Sequence, residues 1–331
     1  MKKVLVTGGA GMIGSNFVKR LVKTGHHVKV VDNLWRGKKE YLLDDSGAPV
    51  IDMEKDFHEI DMSVIDSCDG IVQEVDYIVH LADIVAGIGY VFNNQGSIFR
   101  QNMLINSNII SSVRKHPVKG FLYVGTACSF PYQLQTGVDA RPLKEEDQYP
   151  ANPESGYGWS KLMGEYESLL MEKERGIPVS VLVFHNVYGS PCDYDEARSQ
   201  VIPSLIRKVI TSSGEPLIVW GTGSQGRAFV HVDDIVNALF LAFEKGYGQG
   251  IIQIGPGVCV SIKQLAETIV RLSGKDIPIQ FDTTKPEGDK GRRADFSKAK
   301  RVLGWEPRVK LEDGIKKLYD WINKRIEVNK K

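Results

Sequence analysis

Short apolar runs alternate with longer amphipathic stretches along the first half of the chain. Residues 3–6 form an apolar run typical of a buried strand, and apolar positions at helical spacing follow over residues 12–23. The same succession then returns several times, and it predicts strands at residues 28–31, 77–81, 121–124 and 179–184 and helices at residues 97–114 and 158–174. Repetition of strand and helix in this way predicts a parallel sheet covered by helices on both faces.

The rhythm loosens after about residue 187, where shorter strands mix with helices. Strands are predicted at residues 216–220 and 250–254, and helices at residues 200–210, 262–273 and 311–326. We therefore predict an α/β fold, with a doubly wound parallel sheet of the Rossmann type and a smaller mixed α/β part. The first domain is expected to span residues 1–186, with residues 225–248 returning to it, and the second to span residues 187–331.

Composition and charge narrow the class of protein. The formal net charge is +1, so no global field attracts nucleic acid or an anionic membrane, and neither partner is expected. The sequence has no apolar stretch near the ~20 residues that would span a bilayer. The four cysteines form no CxxC pair and no metal-ligand spacing, so we expect reduced thiols in a cytoplasmic protein without a metal site.

A glycine motif follows the first predicted strand and opens the first predicted helix. Gly8, Gly11 and Gly14 would permit a tight turn and a close approach of the backbone to a pyrophosphate at the helix N-terminus. Asp32 ends the next strand, where a carboxylate can bind ribose hydroxyls and would repel a 2′-phosphate. The motif predicts NAD binding, and the alternative is a structural turn beside an incidental aspartate. Three nearby cations would instead suit NADP: Arg36, Lys38 and Lys39.

Tyr157 and Lys161 are four residues apart and therefore share one face of a predicted helix. A phenol with a pKa near ~10 is a poor base at neutral pH. We expect the lysine ammonium and a cationic nicotinamide to lower the pKa of Tyr157 and favour the phenolate. Such a pair is often only a solvated surface pair, but after a glycine-rich start it indicates oxidation of an alcohol.

With these motifs the chain resembles the extended short-chain dehydrogenase/reductase family over essentially its full length. Its matching segments are Thr7-Gly8-Gly9-Ala10-Gly11-Met12-Ile13-Gly14, Ile60-Asp61-Met62, His80-Leu81-Ala82, Asn102 with Asn106, and residues 156–161 and 227–234. The resemblance implies that Thr126 binds the substrate hydroxyl, that Tyr157 removes its proton and that Lys161 holds the nicotinamide ribose. The cofactor contacts that it implies are Gly8, Gly11, Met12, Ile13, Asp32, Asn33, Asp61, Met62, Leu81, Ala82, Asn102, Tyr157 and Lys161.

Within that family, shorter segments are most similar to the GDP-mannose 3,5-epimerase branch. They are Gly87-Ile88-Gly89-Tyr90, Ala127-Cys128 before Phe130-Pro131, residues 184–189, and Pro286-Glu287-Gly288. This resemblance implies an NAD-dependent epimerase of a GDP- or UDP-linked sugar that works through a transient 4-keto intermediate, with Cys128 exchanging a proton at C5 or C3. The substrate contacts that it implies are Gly87, Thr126, Cys128, Asn186, Arg227 and Arg292. Enzymes of this kind often form homodimers through two helices, here near residues 94–114 and 158–174.

One departure from the branch concerns the acid that would work with Cys128. Where the branch has a lysine in the loop after Tyr188-Gly189, this chain has Asp195, and no lysine occurs between Gly189 and Arg207. An acidic side chain or water would then serve, or only one carbon would be inverted.

Other functions stay open at this point. In a 4-epimerase of UDP-sugars, Cys128 would only line the pocket. Cys128 could also be a small packing residue without a catalytic role. A 4,6-dehydratase is disfavoured because Ala127-Cys128 replaces the acidic pair expected there. An NAD-binding scaffold without activity is disfavoured by the intact set of Thr126, Tyr157 and Lys161.

Overall fold

The computed structural model describes residues 1–195 and 198–328 and is built around one large sheet. Its strands are β1 (Lys3–Thr7), β2 (His27–Asp32), β3 (Phe57–Glu59), β4 (Tyr77–His80), β5 (Gly120–Thr126), β6 (Val179–Phe184), β7 (Asn186–Tyr188), β8 (Leu217–Trp220), β9 (Gly226–Arg227), β10 (Phe229–His231), β11 (Ile251–Ile254), β12 (Val260–Ser261) and β13 (Ile279–Asp282). Its helices are α1 (Met12–Lys23), α2 (Asp69–Val72), α3 (Ile88–Asn93), α4 (Gln95–Lys115), α5 (Gly156–Arg175), α6 (Val201–Thr211), α7 (Val232–Lys245), α8 (Ile262–Ser273), α9 (Ser297–Leu303) and α10 (Leu311–Val328).

Seven parallel strands form the large sheet in the order β11-β6-β5-β4-β1-β2-β3. The chain runs outward from β1 to β3 on one side and from β4 to β6 on the other. The direction therefore reverses between β1 and β4, and a crevice opens there at the carboxyl ends of the strands. The predicted doubly wound α/β fold is confirmed.

The apolar side chains of the sheet pack into helices on both faces, as the strand pattern predicts. On one face Val4 and Val6 lie in a core with Phe17 of α1 and Phe243 of α7, all fully buried. On the other face Leu5 lies in a second core that contains residues of α4. Successive strand residues thus enter opposite cores, as the two-residue repeat of a strand requires.

A smaller mixed part covers the carboxyl edge of the sheet. In it β8 pairs in parallel with β13, and β9 pairs with β12 in antiparallel fashion. Helices α6, α8 and α10 supply buried residues of a third core, among them Ile206, Leu265 and Leu318. This part lies against the crevice and closes one side of it.

The return of the chain to the sheet is longer than the predicted segment 225–248. Helix α7 packs with α1, and β11 then becomes an edge strand of the large sheet beyond that segment. The fully buried Trp305 lies further along the chain, and its indole Nε1 donates a hydrogen bond to the carbonyl oxygen of Asp234 at 2.9 Å. The two parts are therefore interleaved rather than joined at one boundary.

Strand β3 was missed by the sequence pattern because three residues are too few to show a period. It pairs with β2 at the edge of the sheet, with Val30 opposite Phe57.

Among the residues that the structure describes, no helix combines the length and apolar composition needed to cross a bilayer. All four cysteines are free thiols.

Candidate active site

A cavity of about 870 Å³ occupies the crevice at the carboxyl edge of the sheet. This volume lies within the range of ~300–1,000 Å³ found for small-molecule sites. Seventeen of the residues expected to contact the cofactor or the substrate line it: Gly8, Gly11, Met12, Ile13, Asp32, Asn33, Met62, Leu81, Ala82, Gly87, Thr126, Cys128, Tyr157, Lys161, Asn186, Arg227 and Arg292. The fold thus brings the candidate cofactor, catalytic and substrate residues to one place.

The glycine motif forms a tight turn between β1 and α1. Gly8 has a left-handed backbone with φ of +66°, and a Cβ there would lie 2.9 Å from the amide nitrogen of Ala82. A Cβ on Gly14 would clash with the carbonyl oxygen of Gly8. Only glycines allow this approach, so the first turn of α1 reaches the crevice with its amide groups open to a phosphate.

Asp32 is held rigidly beside this turn. Its carboxylate accepts hydrogen bonds from the backbone N–H groups of Ala10 at 3.0 Å and Leu34 at 2.8 Å. Burial raises the pKa of Asp32, and these two donors partly oppose that effect. The turn formed by Gly8, Gly11 and Gly14 is called the glycine cradle below. A fixed acceptor next to this cradle fits the adenosine ribose and pyrophosphate of NAD, and Asn33 lines the same wall.

Two residues expected to contact the cofactor lie elsewhere. Asp61 is exposed, accepts hydrogen bonds from the N–H and hydroxyl of Ser63, and does not line the cavity, so its contact stays a prediction. Asn102 is fully buried behind the cavity wall. Its amide accepts from the Ile84 N–H at 2.7 Å and donates to the Ile84 carbonyl at 3.2 Å. Asn102 thus fixes the segment after β4, and its expected cofactor contact stays a prediction.

Tyr157 and Lys161 face the cavity from the first turns of α5. The hydroxyl of Ser155 caps this helix by accepting a hydrogen bond from the Gly158 N–H at 3.2 Å. Tyr157 donates its phenol proton to Asp83 Oδ2 at 3.2 Å, and Lys161 Nζ lies 3.4 Å from the same oxygen. Asp83 belongs to none of the sequence motifs, although its place three residues after β4 is at the carboxyl edge of the sheet, where site residues of such sheets lie.

The expectation that Lys161 and a cationic nicotinamide together lower the pKa of Tyr157 stays a prediction, because the other groups around the phenol act in the opposite direction. Burial raises that pKa well above its ordinary value, and the charges of Asp83 and Cys128 raise it further. A hydrogen bond with Thr126 lowers it but does not reverse the shift. Asp83 contacts both the phenol and the Lys161 ammonium, and its negative charge opposes ionisation of the phenol.

Cys128 belongs to a second cluster of charged groups. Its Sγ accepts a hydrogen bond from Arg292 Nη2 at 3.2 Å. Arg292 also contacts the Asp289 carboxylate and donates to Gln135 Oε1 at 2.7 Å. Arg227 donates to the carbonyl of Asp289 at 2.6 Å. Both guanidinium groups therefore already make hydrogen bonds within the protein, while the Nε of Arg292 has no partner among the described residues.

Two further polar groups face this cluster. Glu154 lines the cavity, where burial and the neighbouring Asp289 carboxylate raise its pKa to about 7. Neither acid was singled out from the sequence. Asn186 presents a buried side-chain oxygen that has no hydrogen-bond partner among the described residues, which suits a ligand donor.

No metal centre accompanies these clusters within residues 1–195 and 198–328, where no group of three or more His, Cys, Asp or Glu side chains is arranged to hold an ion. The two histidines beside the site make other contacts. His185 bonds to Gln253 at 2.8 Å, and His231 accepts from the Asp233 N–H at the start of α7.

Comparison with known proteins places this geometry in a family. The profile of the NAD dependent epimerase/dehydratase family matches residues 4–255. The chain belongs to that family. It is an enzyme class that uses NAD, so the predicted cofactor is confirmed, and the extended short-chain dehydrogenase/reductase resemblance is confirmed with it.

Several relatives in the family act on different nucleotide sugars. GDP-mannose 3,5-epimerase 1 of Oryza sativa subsp. indica is 33% identical over 330 residues, which cover 99% of this chain and 83% of that protein. A UDP-N-acetyl-alpha-D-glucosaminuronate decarboxylase of Bacillus cytotoxicus is 30% identical, with 97% of each chain covered. The relatives of this chain therefore include enzymes that catalyse different reactions.

Solved structures give the same result for the fold. UDP-glucose 4-epimerase of Thermotoga maritima, solved with UDP-glucose, has a TM-score of 0.84 and 29% identity over 98% of this chain and 99% of that one. UDP-glucuronic acid 4-epimerase of Bacillus cereus, solved with UDP-glucuronic acid and NAD, has a TM-score of 0.80 and 26% identity, with 98% and 99% covered.

The glycine cradle predicts a sharp effect of one methyl group on NAD binding. In Gly14→Ala the new Cβ would meet backbone atoms of Gly8 and Gly9, which cannot rotate away. Overpacking of this kind costs about 1–3 kcal/mol, so NAD affinity should fall by roughly 10- to 100-fold in isothermal titration calorimetry.

Gly96→Ala is the matched control, because Gly96 also lies in a helix and a Cβ there would meet nothing within 4 Å. This variant should bind NAD as the parent does. Equal affinity in the Gly14→Ala variant would contradict the assignment of the cradle.

Proposed function

We propose that this protein is an NAD-dependent epimerase of a nucleotide-diphosphate sugar that inverts carbons next to a transient 4-keto group, like the GDP-mannose 3,5-epimerases among its relatives. The observation that carries the proposal is that Cys128 shares one cavity with Tyr157 and Lys161. Tyr157 and Lys161 can serve the oxidation of an alcohol, and Cys128 can serve proton exchange at a carbon atom.

The first half of the reaction needs a partner for the C4 hydroxyl proton. NAD, when bound, supplies the acceptor for the C4 hydride and gives it back at the end. Tyr157 lines the cavity with its phenol oxygen bonded to Asp83 and to Thr126. It is therefore the group that receives the hydroxyl proton, with Lys161 fixed behind it at a side-chain exposure of only 2%.

The second half needs a base beside the ketone. Protons at C3 and C5 become acidic once C4 is a ketone, and a thiol is suited to their exchange near neutral pH. Arg292 donates to the sulfur of Cys128 at 3.2 Å, so negative charge that develops on sulfur meets a cation in contact with it. This contact argues against a packing role for Cys128.

Glu154 is the acid that we propose as the partner of Cys128. The gap-free match for the missing lysine, Asp195, does not line the cavity, and Glu196 lies outside the described residues. Glu154 does line it, and its carboxyl is bonded to Asp289, which in turn contacts Arg292 and so adjoins Cys128. A pKa of about 7 lets Glu154 donate a proton and take one back at neutral pH.

The remaining assignments are proposals of the same kind. Asn186, with its unpartnered oxygen, and the backbone at Gly87 are proposed to contact the substrate, and Arg227 and Arg292 to add positive field near its diphosphate. The nucleotide is GDP or UDP. A cytoplasmic location and a homodimer through α4 and α5 stay predictions.

A UDP-sugar 4-epimerase is the second candidate, and the likeness to UDP-glucose 4-epimerase of Thermotoga maritima favours it. Such an enzyme inverts C4 and leaves C3 and C5 untouched. A 4,6-dehydratase is less well supported because Cys128 stands where an acidic residue would be needed.

The first test follows deuterium from heavy water into the sugar. The protein is incubated with GDP-mannose, UDP-glucose and dTDP-glucose, and products are analysed by mass spectrometry and NMR. We expect deuterium at C5 or C3 of the substrate that is turned over. In Cys128→Ser this incorporation should fall by roughly 100-fold or more, because the exchanging base is lost.

Cys259→Ser is the control, since Cys259 is also a half-buried free thiol but does not line the cavity. It should exchange deuterium as the parent does. Inversion at C4 without label would contradict the proposal and favour the 4-epimerase, and a product lacking one water would favour the dehydratase.

A second test separates Glu154 from Cys128. Glu154→Gln cannot donate a proton, so we expect deuterium exchange by Cys128 to continue while inversion falls by roughly 100-fold. Because the pKa of Glu154 is raised to about 7, its acid form is present below that pH and is lost above it. The inversion rate of the parent should therefore fall as the pH rises through about 7.

The exposed Glu146→Gln variant, eight residues before Glu154, is the control and should leave inversion unchanged. Unchanged inversion in Glu154→Gln would exclude Glu154 as the partner acid, with the epimerase proposal left standing on the deuterium result.

A further inference from the structure

His185 lines the cavity directly after β6, and only 4% of the residue is exposed. Its two ring nitrogens differ in their surroundings. Nε2 lies 2.8 Å from Gln253 Oε1, whereas Nδ1 has no hydrogen-bond partner among the residues that the structure describes. Buried polar atoms are nearly always hydrogen-bonded. Nδ1 is therefore suited to a group that enters the cavity with a ligand.

Gln253 decides which ring nitrogen of His185 carries the proton. The side-chain Nε2 of Gln253 donates to the carbonyl oxygen of Leu143 at 2.7 Å. Because a carbonyl oxygen can only accept, the orientation of the amide is set and its Oε1 faces His185. Oε1 can also only accept, so Nε2 of His185 carries the ring proton and donates it. Nδ1 is left with its lone pair and acts as an acceptor.

The imidazole of His185 is neutral at neutral pH. Burial lowers its pKa to about 4, and the positive charge of Arg292 acts in the same direction. The hydrogen bond with Gln253 opposes both effects without reversing the shift. A second proton would have to bind Nδ1, so this nitrogen remains an acceptor near pH 7. The ligand group that it suits is a neutral donor such as a hydroxyl.

The support of His185 leaves the ring little freedom to turn to another partner. Its backbone N–H donates to the carbonyl oxygen of Ile254 at 3.0 Å. A Cβ on Gly255 would lie 2.6 Å from the ring atoms Cγ and Cδ2, so glycine leaves the room that the imidazole occupies. Together with the contact to Gln253, these neighbours hold the acceptor in one place before any ligand binds.

Arg292 relates His185 to the end of the cavity that holds Cys128. The charge of Arg292 acts on the imidazole, and its Nη2 donates to Cys128 Sγ at 3.2 Å. The backbones are joined as well, since the N–H of Leu143 donates to the carbonyl oxygen of Arg293 at 2.9 Å. His185 and Cys128 thus flank the same arginine, at the place where the proposed reaction puts the sugar.

We propose that Nδ1 of His185 accepts a hydrogen bond from a hydroxyl of the sugar, which makes His185 a specificity-determining residue. This inference rests on the proposed function. The carboxamide of NAD is another donor that a ligand would bring, but the position of His185 beside Arg292 and Cys128 favours the sugar. A substrate that lacks the hydroxyl is then rejected, because the buried nitrogen stays unbonded.

The first measurement compares the substrate with its deoxy analogues. The nucleotide sugar that is turned over, and its forms without the hydroxyl at C2, C3 or C6, are assayed for kcat/KM. We expect one analogue to lose roughly 10- to 100-fold with the parent protein. With His185→Phe, which keeps a ring but has no acceptor, this ratio should approach one. A merely structural role would lower all values together and leave the ratio unchanged.

His185→Asn and His58→Phe are the matched controls. The asparagine amide brings an oxygen near the place of Nδ1, so His185→Asn should recover part of the discrimination. His58 also has a buried ring nitrogen without a partner among the described residues, but it does not line the cavity. His58→Phe should therefore behave as the parent does. Circular dichroism and NAD titration check that the variants are folded.

NMR of protein labelled with ¹⁵N-histidine observes the ring nitrogens without turnover and without a variant that must fold for the assay. Two-bond ¹⁵N–¹H correlations distinguish a protonated nitrogen from a bare one, and the signals missing in His185→Asn assign the residue. In the free protein we expect the proton on Nε2 at every pH above the pKa of about 4. Addition of GDP-mannose, or of whichever nucleotide sugar is turned over, should move the Nδ1 signal toward that of a hydrogen-bonded nitrogen.

Four results would overturn the inference. They are a ring proton on Nδ1, an Nδ1 signal that the substrate leaves unchanged, equal analogue ratios in the parent and His185→Phe, and weaker NAD binding with unchanged sugar binding in that variant. The last result would assign the nitrogen to the cofactor. If the parent turns over no nucleotide sugar, the proposed function fails, whereas the ring proton in the free protein still tests the acceptor.

Discussion

The close packing of helix α5 on the end of strand β5 is the constraint on which this site depends. A Cβ on Gly158 would clash with the carbonyl oxygen of Cys128, so only glycine lets the first turn of the helix lie against that segment. Tyr157 precedes this glycine, and Thr126 precedes the cysteine by two residues. One backbone contact therefore sets the distance between Tyr157, proposed to receive the hydroxyl proton, and Cys128, proposed to exchange the carbon proton.

Buried charge in the cavity is organised as two neighbouring networks. Lys161 pairs with Asp83, and Arg292 pairs with Asp289, with side-chain exposures of 2% and 3% for the two cations. Ions removed from water are tolerated only when they are paired and hydrogen-bonded. Each network offers one further partner to a ligand, the phenol of Tyr157 in the first and the thiol of Cys128 in the second. Pairing thus both stabilises the charges and fixes the reacting atoms.

Local spacing explains which parts of the site could be predicted from the sequence. The glycine turn, Asp32 and the pair Tyr157 and Lys161 depend on residues close in sequence, so their geometry follows from the strand or helix that carries them. The parallel sheet with helices on both faces followed in the same way from the repeated strand and helix pattern. Motif spacing was thus sufficient for the frame of the site.

Contacts between distant segments explain what could not be predicted. Asp83 meets α5 only because β4 and β5 are neighbours in the sheet, and Asn102 turns its amide to Ile84 rather than to the cavity. Glu154 and Asp289 come together from distant segments of the chain. The raised pKa of Tyr157 depends on burial, which no spacing reveals. Residue types at these positions carry no local signal for such contacts.

The two networks also influence each other, and this influence bears on the order of the proposed reaction steps. Negative charge on Cys128 raises the pKa of Tyr157, so a thiolate and a phenolate oppose each other in the same cavity. In the proposed reaction the proton of the C4 hydroxyl passes to Tyr157, which leaves the phenol neutral and removes this opposition before the thiol begins its exchange. Oxidation at C4 and proton exchange at the adjacent carbon are therefore compatible as successive steps of the proposed reaction.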